Sequence, residues 1–159
     1  MQVNGAGARG FGFTVTARSV SPAFFVMLPP SDMAARRHPD YRLVARPEQF
    51  PGCGDPLDCP VREAQPGEIV LLYGTGFGPV NPPIPAGRLF DTPNQMASGV
   101  RVRFGDTWVE AIGALASPGL YQIAVQAPDS APDGDLAVVA EVAGKQSPAA
   151  KIPVRRGEP

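Results

Sequence analysis

The chain has 159 residues, room for one ordinary domain or a small domain plus part of a neighbour, and too few for two full domains. Hydrophobic residues make up 43% and charged residues 18%, so a packed core is expected and disorder is not, while Pro 20 and Gly 18 argue for short strands and turns over a helical bundle, since both residues interrupt helices. The net charge of -1, from 14 basic and 15 acidic residues, supplies no long-range field for nucleic acid or an anionic membrane.

No stretch approaches the roughly 20 consecutive apolar residues that cross a bilayer, so membrane insertion is not expected. Residues 1–19 lack the basic start and apolar core of a signal peptide. Within them, Gly5-Ala6-Gly7-Ala8-Arg9-Gly10 matches the GxGxxG pattern of dinucleotide sites. That pattern needs a strand before it and a helix after it, whose N-terminal amides hold the pyrophosphate. Here the following Phe11 to Ala17 alternates with period two and reads as a strand, so no nucleotide cofactor is expected.

Pro22 to Met27 is a second strand signal. Met33 to Arg37 and Tyr41 to Val44 flank His38-Pro39-Asp40, the composition of a hairpin turn. Ala45 to Gln65 reads as a long linking loop that holds Cys53 and Cys59, six positions apart, either a small disulfide loop or two free thiols. A bridge implies an oxidising compartment.

Ile69 to Tyr73 is a short β-branched and aromatic run between Pro66-Gly67 and Gly74-Thr75-Gly76-Phe77-Gly78, which predicts a buried central strand entering a tight turn. A phosphate cradle would open a helix at this point, and Pro79, Pro82 and Pro83 forbid one. The expectation is that Gly74, Gly76 and Gly78 adopt backbone angles closed to other residues while Phe77 fills the core. Asn81 to Gly87 should be extended and irregular. Val100, Val102 and Phe104 alternate with Arg101 and Arg103, and Gly105-Asp106 turns the chain into Thr107 to Ile112. Tyr121, Ile123 and Val125 form the next strand, Leu136 to Val142 the one after, and Ala150 to Val154 the last. Short strands at regular spacing with turn residues between them predict an all-β sandwich.

Gly67 through Gly78, Val100-Arg-Val-Arg-Phe-Gly105 and Tyr121-Gln-Ile123-Ala-Val125-Gln-Ala-Pro128 together resemble the immunoglobulin-like IPT/TIG class. More narrowly, Pro66 to Pro83, with Ser21-Pro-Ala-Phe-Phe25 and Asp133 to Val139, is similar to the Solibacter-type C-terminal domain of secreted bacterial proteins. The resemblance implies an immunoglobulin-like β-sandwich over 20–155, with a hairpin at 22–44, a linking loop at 45–65 and a core at 66–155. Residues 1–19 would then be an N-terminal extension or the closing strands of a preceding domain. It further implies a non-catalytic module of an exported protein, at the cell surface or outside it, with neighbouring domains and a surface polysaccharide or protein as partners.

No catalytic, cofactor or metal residues transfer with the resemblance. The sole histidine, His38, sits at a hairpin tip without a ligand set, and no Gly-x-Ser-x-Gly elbow exists. Asp129, Asp133 and Asp135 surround Gly134 and read as a solvated turn or a calcium loop, without EF-hand spacing. Trp108, Tyr41 and Tyr121 are the candidates for stacking on a sugar or peptide, with a core role for Trp108 equally open. A carbohydrate-binding module is thus the first rival reading, and a fragment of a secreted hydrolase the second.

Overall fold

The computed structural model describes residues 17–27, 34, 36–37, 39, 42–47, 61–85 and 94–157. In chain order its strands are β1 (Ala23–Phe24), β2 (Arg36–Arg37), β3 (Leu43–Val44), β4 (Val61–Arg62), β5 (Ile69–Thr75), β6 (Val80–Asn81), β7 (Asn94–Met96), β8 (Val100–Phe104), β9 (Thr107–Ser117), β10 (Leu120–Gln126), β11 (Gly134–Val142), β12 (Lys145–Gln146) and β13 (Ala150–Val154). The chain is all-β, with no α-helix among the described residues and almost every pairing antiparallel. Among the described residues no helix is long and apolar enough to cross a membrane, which says nothing of strands.

The expected central strand is present. β5 pairs with β10 from Ile69↔Gln126 to Gly74↔Tyr121, and its alternation places Val70 and Leu72 in the core while Ile69 faces out. β9 joins the two halves of the sheet: its beginning pairs with β8 and its end with β10, so that Ala111 lies opposite both Val100 and Val125. β8 continues through β11 to β13, with Val138 opposite Phe104 on one edge and Ala150 on the other.

The other edge of β5 takes β1 and β2, then β3 and the parallel β4. Two residues beyond β4, Ala64 bridges Val154: its amide donates to Pro153 O at 3.0 Å and its carbonyl accepts from Arg155 N at 2.8 Å. The sheet therefore curls until its hydrogen-bonded path returns to β13. Inward-facing Leu72, Phe77, Val102, Ile123, Val138 and Ile152 fill the enclosed space and are essentially inaccessible.

Three expectations need correction. The 45–65 segment is not a loop to its end, because Val61 and Ala64 are buried and supply the seam that closes the sheet. Of the run expected to be extended and irregular, Asn81 is instead in a strand, since Val80–Asn81 pairs with Asn94–Met96, which joins β9 at Gln95↔Ala114, while 82–85 carry no strand, as expected. β9 also runs five residues past Ile112. Gly113 permits this, since a Cβ there would approach Ile123 Cδ1 to 2.9 Å and collide with the Met96 thioether. The hairpin between 33 and 44 exists in short form, as Arg37↔Leu43.

Candidate functional site

The glycine corner after β5 carries the most specific part of the sequence. Phe77 is 1% exposed and lies between Phe24, with ring centroids 5.9 Å apart, and Tyr121, at 5.6 Å. Both pairs are tilted, the arrangement aromatic quadrupoles favour. Gly76 has φ +75° and a Cβ on it would come within 2.8 Å of the Ser21 carbonyl carbon, so both conformation and space exclude a side chain. At Gly74 the exclusion is spatial, with Phe77 Cε2 2.8 Å from the Cβ position and the Ala23 carbonyl oxygen closer still. The corner is built to receive backbone and an aromatic ring.

Tyr121, a stacking candidate, belongs to this corner. Its ring packs on Phe77, its hydroxyl donates to the Gly78 carbonyl, and burial holds its pKa above the usual 10.0. Trp108 stands apart on the outer face of β8 and β9, half-exposed. The guanidinium carbons of Arg101 and Arg103 lie 4.6 Å and 5.7 Å from its ring centroid, so it forms a cation–π cluster with them. Arg101 also donates to Glu141 through Nε at 3.0 Å and Nη2 at 2.7 Å. Bonds from Gln146 and then Arg101 hold the Glu141 carboxyl below its ordinary pKa. Arg103 Nε is buried without a hydrogen-bond partner among the described residues.

The aspartates near Gly134 do not converge on one point. Asp133 Oδ1 accepts from the Arg156 amide at 2.7 Å, Asp135 pairs with Arg46 at 2.8 Å, and Asp129 Oδ1 sits beside Gly67. Among the described residues no group of three or more metal-binding side chains comes together. Tyr41, His38, Cys53 and Cys59 lie outside the described residues.

Sequence reasoning missed the ionic cluster along the closing seam. Glu63 accepts from Arg46 Nε at 2.8 Å and lies 3.7 Å from Arg155, while Arg62 holds Glu68 through both oxygens, at 2.9 Å for one of them. The Glu63 hydrogen bond does most to raise the Arg46 pKa, with Asp135 adding to it and burial opposing. Arg62, Glu63, Gln65, Arg155 and Arg156 border a cleft of about 380 Å³. With Arg62 and Arg155 facing carboxylates, the cleft staples the seam. Arg46, the 62–68 stretch, Asp135 and Arg155 are far apart in sequence, and only the curl of the sheet brings them together. In comparisons with protein families, curated proteins and solved structures, nothing matches this chain.

Proposed function

We propose that the chain is an immunoglobulin-like β-sandwich of the IPT/TIG type, a non-catalytic module of an exported bacterial protein that serves adhesion, surface display or the spacing of neighbouring domains. One observation supports this reading above others: the glycines and alternate apolar residues of the stretches that carry the resemblance are used up in packing. Gly74 and Gly76 admit backbone, Phe77 is sealed between two rings, and Val100, Val102, Phe104, Ile123 and Val125 face the core. Those side chains serve architecture, and any function then resides on outward surfaces, where Ile69 and Arg101 of the same stretches lie.

The half-exposed Trp108 with its two arginines keeps sugar recognition as a second reading. The two are separated by one experiment, in which the purified chain is measured against a polysaccharide array and against ester, glycoside and peptide substrates. The module reading expects no turnover of any substrate. Polysaccharide binding that Trp108→Ala abolishes while the fold survives would establish the sugar-binding reading, and saturable hydrolysis would overturn both.

A further inference from the structure

The glycine corner is a receptor for an extended strand. Its occupant in the structure is the chain's own segment Ser19 to Met27, which lies some fifty residues away in sequence. The Ser21 amide donates to Gly76 O and the Phe25 amide to Tyr73 O, both at 2.9 Å, and between them Ala23↔Thr75 and Phe24↔Gly74 pair. Gly78 completes the track, with a Cβ position 3.0 Å from Val20 Cγ2. Ser21 and Phe25 both turn their amides to β5, so Pro22 falls where its missing N–H costs the ladder nothing. Phe24 enters the core and meets Phe77 there, with Pro22 buried beside it and Val20 packed against the same cluster.

The receptor belongs to β5, which β10 pairs over six residues along its opposite edge. Along β5 the donor makes a two-residue ladder with two flanking bonds, beside which Val20, Pro22 and Phe24 pack and Val26 bridges Ala34. We propose that this corner is a strand-acceptor site, and that it takes the Ser21-Pro-Ala-Phe-Phe25 segment of a second copy of this chain, linking copies by strand exchange. Main-chain bonds to β5 supply affinity, and the Phe24 pocket with the glycine track supplies selectivity, as in other strand additions. Exchange replaces each contact by an identical one, so its cost is small. It rests on the geometry of the corner and not on the module reading above.

The test uses the full chain in two forms: Phe24→Asp, with a defective donor and an intact acceptor, and Gly76→Val, with the reverse. A fluorescent peptide of residues 19–27 should bind the Phe24→Asp chain at least about tenfold more tightly than the unaltered chain, whose own segment competes at an effective concentration on the order of millimolar. Mixing the two variants should produce a heterodimer by native mass spectrometry, with each alone monomeric. If Phe24→Asp does not fold, saturating peptide should restore its native circular dichroism. Failure of the peptide to bind the folded variant or to restore the unfolded one, equal binding by a peptide that carries the same Phe24→Asp change, or absence of heterodimer overturns the proposal.

Discussion

Replacing Phe77 by alanine tests the claim that the corner is architectural. The ring is 1% exposed and touches Phe24 and Tyr121, so truncation removes two aromatic contacts and leaves a void bordered by rigid strands. Phe→Ala changes at such sites cost about 3–5 kcal/mol, and the upper half is expected here because Gly74, Gly76 and the β1 backbone leave little to collapse inward. With an m-value of about 2 kcal/mol/M in urea, the unfolding midpoint should fall by about 2 M, followed by circular dichroism or fluorescence. Phe77→Leu keeps much of the volume and should lose less than half as much. A midpoint lowered by less than about 0.5 M for Phe77→Ala would refute the reasoning, since a ring that contributes so little cannot be what the corner is folded around.

Tyr121→Phe removes the bond to the Gly78 carbonyl and should cost about 1 kcal/mol near neutral pH. Because burial raises the folded-state pKa of Tyr121, its protonated form contributes stability in full below the unfolded value, and this is lost as pH rises through the folded one. Urea titrations between about pH 9 and pH 11.5 should show a steeper alkaline loss in the parent chain than in Tyr121→Phe, and parallel curves would contradict the assignment. Glu63→Gln should destabilise by about 1 kcal/mol at low salt, with a smaller difference at about 1 M salt because the seam is partly open to solvent. A loss independent of salt would mean that shape, not charge, matters there. If Cys53 and Cys59 form the small disulfide loop and are not two free thiols, alkylation without reductant should label neither; two labels per chain would exclude the bridge.

The strands with clean alternation were legible residue by residue. Val100, Val102 and Phe104 face inward and Arg101 outward, as do Ile123 and Val125 against Gln126, because a period of two leaves a half-buried strand no other register. The short elements were not legible. β4, β6 and β7 have two or three residues each, too few to show a period, and they are strands only because β3, β9 and each other lie within reach. The strand that begins at Thr107 reads in the sequence only to Ile112, yet it runs on through Gly113, whose missing side chain leaves Met96 its space.

Candidate site residues divide along the same line. Phe77 was readable as core because its flanking glycines and prolines leave one local geometry. Trp108 and Tyr121 were not assignable in advance. Tyr121 joins the corner through a ring and a carbonyl more than forty residues away, and Trp108 acquires Arg101 and Arg103 by cross-strand placement.

By itself the sequence determined the all-β class, the central strand and the tight corner, since proline, glycine and alternating apolar residues act through local backbone sterics and a period of two. The tertiary structure alone decided what the corner holds and how the sheet closes. A docked strand fifty residues away, and a seam joining Ala64 to Val154, are contacts between distant segments, and no local propensity encodes them.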